Sequence, residues 1–247
     1  MIKGIQAAGA ALKPMMSRLE VIANNLANID TTGFKKDNIF VQMMKDTEIA
    51  QAQGKGDLAG YDVKRYSDFA EGSLKETHNP LDFAIQGRGF FVVDTPLGKR
   101  YTRNGNFTLS VDGTLQTSQG HPVMGSAGAI RFPDMQKLAH GEVAVSEEGE
   151  IMVDKTMLAQ LQIADFDDVM KLKKDGDSFI IEDAQQKPVQ ADRQFTRVKQ
   201  GYLEESNVEG IEEMIALVEL TRNFESSQRI IQYQDSTLDK IMDVGRV

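Results

Sequence analysis

The 247-residue chain carries 28 lysines and arginines against 37 acidic residues, a net charge of −9, which argues against binding nucleic acid through a basic surface. Its 40% hydrophobic content is enough for a core in one or two domains, and the absence of cysteine excludes disulfides and cysteine-ligated metals. No apolar run approaches the ~20 residues of a membrane span, so no membrane insertion is expected.

The first predicted element is an amphipathic helix over residues 1–32. Ile5, Ala8, Leu12, Met15, Leu19, Ile22, Leu26 and Ile29 recur at alternating steps of three and four, the spacing of a coiled-coil seam. Lys13, Arg18 and Glu20 interrupt the apolar stretch without changing its phase, so the segment reads as a helix and not as a cleaved signal peptide. Pro14 removes one helical hydrogen bond and predicts a kink or fraying there. Gly33 is the expected C-terminal stop. Asn24, Asn25 and Asn28 are unusual on such a helix, since asparagine is roughly 0.6 kcal/mol worse than alanine at each position.

Residues 33–71 are polar and mixed and predict an extended connector. Residues 72–202 alternate short β-rich runs with turn signals, which predicts a central antiparallel β domain. Two apolar runs flank Gly87 and Gly89. Further strands are expected over 100–103, 106–111, 142–146, 150–153, 158–164 and 178–182, with hairpin dipeptides at Asn104-Gly105, Asp112-Gly113 and Asp175-Gly176.

Residues 203–247 predict a second long helix. Ser206 and Glu209 have the spacing of a capping box, and Glu209, Glu212 and Glu213 crowd its positive N-terminal end. Leu217, Leu220, Phe224, Ile231, Leu238 and Ile241 continue a heptad-like seam. Ile211, Met214, Ile215 and Val218 widen the apolar arc near its start, enough to touch more than one neighbour. The predicted fold is therefore mainly β with helical ends, the two terminal helices pairing as a coiled coil.

Candidate catalytic signals are weak. Gly87-Arg88-Gly89 lacks the third glycine and following helix of a dinucleotide loop and reads as a tight turn. His78, His121 and His140 are scattered, and Asp165, Asp167 and Asp168 lack the glycine and final glutamate of a calcium loop. No nucleophile elbow or Cys–His pair is present. The expectation is no enzyme, no cofactor, no metal and no small-molecule substrate.

Four blocks, "IANNLANIDTTGFKK" (22–36), "LDFAIQGRGFFVV" (81–93), "YTRNGNF" (101–107) and "GYLEESNVEGIEEM" (201–214), resemble those of the bacterial flagellar rod and hook proteins, in the same order. "YTRNGNF", "GHPVMGSAGAIRFP" (120–133) and "RNFESSQRII" (222–231) lean toward its proximal-rod branch, with the distal-rod branch the near alternative. The resemblance implies a subunit exported unfolded and uncleaved by the flagellar export apparatus. It implies polymerisation with copies of itself and other axial rod and hook proteins into a tube crossing the periplasm, the paired helices inside and the β domain outside. On that reading Leu19, Ile22, Leu26, Ile29, Ile211, Ile215, Val218, Phe224, Ile231 and Leu238 carry assembly. Asn24, Asn25 and Asn28 supply amides that pair in either sense, Gly33 turns the chain outward and Phe34 anchors it. The plainer alternative for the asparagines is exposed polar residues tolerated by a stable helix. A different class, a secreted β-domain binding module on a two-helix stalk, fits the same elements.

Overall fold

Alanines at positions 7, 8, 10, 11, 23 and 27 give the N-terminal segment strong helix propensity, and α1 runs unbroken over Ile2–Ala27 with Pro14 inside it. This comes from a computed structural model describing residues 2–43, 61–133, 143–154, 156–176, 178–181, 187–192 and 195–244. The described chain falls into two compact units.

The first unit contains α1, the strands β1 (Asp37–Met43) and β2 (Tyr61–Ser67), which pair in a two-stranded sheet, and α2 (Gly210–Val244). Helices α1 and α2 pack on each other. The buried positions of α1 are Val21, Ile22 and Asn25. Of the expected seam, Leu12, Met15 and Leu26 are half-buried and Leu19 is 42% exposed, while the side chains of Ile5 and Ala8 lie outside the described ones. On α2, Glu213 and Leu220 are buried, Leu217, Phe224 and Ile231 half-buried, and the side chains of Leu238 and Ile241 lie outside those described. The buried stripe of α1 is thus rotated from the expected seam and centred on a polar residue.

Three boundaries differ from expectation. Helix α1 ends at Ala27, six residues before Gly33, whose positive φ of +68° serves another purpose described below. The stretch expected to be a connector forms β1 and β2, because its ends carry the β-branched and aromatic residues Ile39, Phe40, Val41, Val63 and Tyr66. Residues 44–60 lie outside the described ones. Helix α2 begins at Gly210, not at Ser206: the Ser206 hydroxyl accepts from the amide of Val208, and Tyr202–Glu204 form a strand. The cap position therefore moves to Glu209, whose carbonyl accepts from Glu213.

The second unit is antiparallel throughout. Its strands are β3 (Leu74–Glu76), β4 (Phe83–Gly87), β5 (Phe90–Thr95), β6 (Gly98–Thr102), β7 (Phe107–Leu109), β8 (Leu115–Thr117), β9 (Met124–Gly125) and β10 (Gly128–Ala129). They are followed by β11 (Val143–Val145), β12 (Glu150–Val153), β13 (Thr156–Gln160), β14 (Ile163–Asp165), β15 (Leu172–Asp175), β16 (Ser178–Ile181), β17 (Val189–Gln190), β18 (Thr196–Gln200) and β19 (Tyr202–Glu204). The largest sheet has the order β15-β16-β6-β5-β14-β17, and smaller sheets pair β3 with β19 and β4 with β18.

Strand β5 explains why "FFVV" lacks polar alternation. With a side-chain period of two, Phe91 and Val93 enter one cluster with Phe83, Ile85, Phe107 and Leu115, while Phe90 and Val92 enter another with Tyr101, Phe166 and Phe179. A strand buried on both faces has no use for polar residues. The expected strand 158–164 divides into β13 and β14, which belong to different sheets.

Asp112-Gly113 and Asp175-Gly176 turn the hairpins β7–β8 and β15–β16 as expected. Asn104-Gly105 does not turn a hairpin: β6 and β7 lie in different sheets. Asn104 Oδ1 instead accepts from the amide of Asn106 at 3.0 Å, and the carbonyl of Gly105 accepts from the amide of Phe83 at 3.0 Å. A Cβ on Gly105 would fall 1.6 Å from the carbonyl oxygen of Phe83. The glycine is there for backbone contact across two strands, not for a turn.

Gly105→Ala is therefore expected to destabilise the protein by ~1–3 kcal/mol through forced backbone movement. At about 2–4 °C per kcal/mol for a chain of this size, a thermal melt followed by circular dichroism resolves the change; an unaltered melting temperature contradicts the close approach.

Candidate functional site

The short segment after α1 places Thr32, Gly33, Phe34, Lys35 and Lys36 in the β unit, where they meet residues as many as 171 positions away. The Lys35 ammonium donates to Glu204 Oε1 at 2.5 Å and to the carbonyl of Ala70 at 2.6 Å. The two side chains are 0% and 1% exposed. Glu204 Oε1 also accepts from the amide of Gly72 at 3.1 Å, and Oε2 accepts from Arg103 Nη1 at 3.3 Å. Arg103 donates onward to the carbonyls of Ile85 at 3.3 Å and Gly87 at 2.8 Å, with its guanidinium 5.2 Å above the ring of Phe90.

One buried carboxylate thus joins two buried cations. Burial pushes the Lys35 ammonium below the ordinary lysine range, and the neighbouring Glu204 opposes that shift. The cost of desolvating three ionic groups is recovered only where each finds its hydrogen bonds.

The backbone around the cluster is fixed from the same residues. The amide of Gly33 donates to the carbonyl of Glu204 at 2.7 Å, and the amide of Lys36 to Asn207 Oδ1 at 2.7 Å. Asn207 Nδ2 in turn donates to the carbonyls of Asp68 at 2.9 Å and Ala70 at 3.1 Å. Thr32 Oγ1 donates to Asn104 Oδ1 at 2.9 Å. Gly33 sits so close to the strand end that a Cβ would fall 2.4 Å from backbone atoms of Arg103 and Asn104, and its positive φ adds a second reason for glycine. Phe34 is buried with Lys174 Nζ 3.5 Å over its ring, and the same ammonium donates to the carbonyl of Lys35 at 2.8 Å. Phe34 is thus packed within its own chain.

All four sequence blocks contribute: Gly33 and Lys35, the carbonyls of Ile85 and Gly87, Arg103, and Glu204 with Asn207. Their convergence was not legible beforehand. Lys35, Arg103 and Glu204 read singly as surface charges, and nothing local pairs a lysine with a glutamate 169 positions later.

In the helical unit the asparagines have distinct fates. Asn25 is 1% exposed; its Oδ1 accepts from the amide of Asp37 at 2.9 Å while its Nδ2 donates to the Asp37 carbonyl at 2.9 Å. Nδ2 also lies 3.4 Å from Glu213 Oε2 on α2. Only a side chain with both a donor and an acceptor can hold both backbone groups of one residue. Asn25 therefore works inside the chain, within the buried stripe of α1. Asn24 is exposed, and Asn28, half-buried after the helix end, accepts from Thr31 Oγ1 at 3.2 Å.

The remaining expected positions divide by exposure. Ile22 is buried, Leu26, Ile29, Phe224 and Ile231 are half-buried, Leu19 is exposed, and Ile211, Ile215 and Val218 stand out at 73%, 56% and 52% exposure. No group of three or more potential metal ligands occurs among the described residues. Asp168 accepts from the amide of Met170 to cap a single helical turn, Asp165 faces Arg88 at 3.5 Å, and His140 lies outside the described residues.

Three family models match the chain: flagella basal body rod protein over residues 5–35, the D1 domain of flagellar hook proteins FlgE/F/G over 84–153, and the C-terminal part of flagellar basal body rod FlgEFG proteins over 199–244. The chain is 33% identical to the flagellar basal-body rod protein FlgF of Rhizobium meliloti over 97% of its length and 96% of that protein's. It is 30% identical to FlgG of Bacillus subtilis with both chains covered completely, and 31% identical to FlgG of Agrobacterium fabrum over 95% and 96%.

Glu204→Gln leaves two buried cations facing an amide and is expected to cost ~3–5 kcal/mol. Lys35→Met retains the Arg103 and Gly72 bonds to Glu204 in similar volume and should cost less. Urea midpoints at unchanged slope measure both; equal losses, or the reverse order, contradict a shared carboxylate. Asn25→Asp, which sets a carboxylate beside buried Glu213, should cost ~2 kcal/mol or more, against about 0.5 kcal/mol or less for exposed Asn24→Asp in the same assay.

Proposed function

The chain belongs to the flagellar basal-body rod protein family, and we propose on that basis that it enters the rod through its terminal helices as a proximal-rod-type subunit. It is a structural subunit of that shaft. The observation that carries the reading is the outer face of α2, where Ile211, Met214, Ile215 and Val218 form an exposed apolar stripe turned away from buried Glu213 and Leu220. Helix α1 adds exposed Met16 and Leu19. Contiguous exposed apolar surface of this kind marks an interaction site.

In the proposed assembly these outward residues meet neighbouring subunits, while Ile22, Leu26, Phe224, Ile231 and Leu238 sustain a coiled-coil pairing of the two helices. Asn24 and Asn28 offer amides at the subunit boundary, and Asn25, Gly33 and Phe34 hold each subunit's own geometry. A head-to-tail contact repeated along a screw axis builds an open filament. Its neighbours are copies of itself and other axial proteins of the rod and hook, after passage through the flagellar export apparatus without cleavage. Close packing of many helices supplies the stiffness that torque transmission requires. The proximal assignment rests on "YTRNGNF", "GHPVMGSAGAIRFP" and "RNFESSQRII"; the distal-rod type is the alternative.

Ile215→Ser/Val218→Ser alters exposed positions and should leave the melting temperature of the free subunit nearly unchanged, within about 0.5 kcal/mol per site. Basal bodies isolated from cells carrying this variant are expected to lack the subunit, and the cells to be non-motile. Wild-type incorporation of the doubly substituted chain would remove α2's outer face from the assembly.

A further inference from the structure

The two cations of the buried cluster, Lys35 and Arg103, are 169 and 101 positions ahead of the carboxylate that joins them. We propose that this cluster sets the order of folding: the β unit stays open until the segment 196–208 is available, and then closes in one step. A chain delivered N-terminus first, from a ribosome or through a secretion channel, would therefore reach its last 45 or so residues before its β core forms.

Two independent features carry this. The first is charge: Lys35 and Arg103 are buried in the finished structure, and among the described residues Glu204 is the acid bonded to both. Neither cation can leave water with an acceptable partner before Glu204 arrives. The second is strand pairing: β4, which carries core residues Phe83 and Ile85, has β18 as its sheet partner, and β3 has β19. Val198 of β18 enters the same core cluster. Until residues 196–204 are present, β4 would bury a row of unsatisfied backbone groups. Local hairpins such as β5–β6 and β7–β8 form only transiently before this step, and the core that gives them lasting protection closes with it.

The device keeps an incomplete chain extended without a chaperone's involvement in the chemistry, and it couples the roots of both terminal helices to one event. Gly33 and Lys36 receive their backbone partners from Glu204 and Asn207 in the same closure. The inference concerns folding and stands whether or not the subunit is of the proximal type.

The test is pulsed amide exchange during refolding of the full-length protein from urea, read by mass spectrometry on peptides covering 83–95, 98–109 and 196–208. All three are expected to gain protection in one kinetic phase. Protection of 83–109 in an earlier phase than 196–208 overturns the proposal. Full-length Glu204→Gln supplies the second reading: its folding rate should fall at least ~10-fold, whereas an unchanged folding rate with the entire loss expressed as faster unfolding also overturns it. If that variant has no folded population, the labelling order of the unsubstituted chain decides alone.

Discussion

The interaction on which the β unit depends is the sharing of one buried carboxylate by two buried cations. Glu204 is buried, and its oxygens are bonded by Lys35, Gly72 and Arg103. Apolar residues of the same volume would supply comparable or greater stability, because desolvating ions is costly. What they would not supply is direction. The donors of Lys35 and Arg103 select particular carbonyls, those of Ala70, Ile85 and Gly87, and so fix the loop after β2, the strand β4 and the segment after α1 relative to one another. An apolar core tolerates a one-position slip more readily than a set of charged hydrogen bonds does.

Asn25 performs the corresponding task in the helical unit at lower electrostatic cost. The helix-propensity loss of roughly 0.6 kcal/mol is offset by two backbone hydrogen bonds at a buried position. A carboxylate there would lack the donor and would confront Glu213. A glutamine has the right chemistry one methylene too far out. The asparagine is thus chosen by the geometry of one strand's first residue, Asp37, and the neighbouring Asn24 and Asn28 are under different constraints.

Sequence reading recovered what local physics determines. Helical periodicity located both long helices, the Asp-Gly dipeptides located two hairpins, and β-rich runs located nine of the nineteen described strands. It failed where a tertiary contact overrode a local signal. Gly33 looks like a helix stop but answers to the backbone of Arg103 and Asn104. Asn104-Gly105 looks like a hairpin but answers to the carbonyl of Phe83. Ser206 looks like a cap, yet its hydroxyl accepts from Val208 and Asn207 is held by Lys36, Asp68 and Ala70, so the helix starts later. The buried ionic cluster was illegible for a related reason: three charges in three separate blocks carry no periodicity, and only the fold states which of them meet.

The helical unit departs from the usual distribution of polarity at several positions, and the departure has a physical logic. It buries Asn25 and Glu213 while leaving Ile211, Met214, Ile215 and Val218 exposed. A polar group inside demands particular partners, so it specifies one arrangement of the chain's own elements. An apolar group outside makes no such demand and adheres to any complementary surface of similar shape, with a gain that grows with the area removed from water. A subunit that must first hold a single internal geometry and then bind many neighbours gains from separating the two tasks in this way. In the proposed assembly, directional bonds set the internal geometry before association, and the apolar face then drives association without disturbing them. Exchanging the two kinds of residue would leave a loosely specified subunit with a surface that water satisfies, which is the opposite of what a stiff polymer requires.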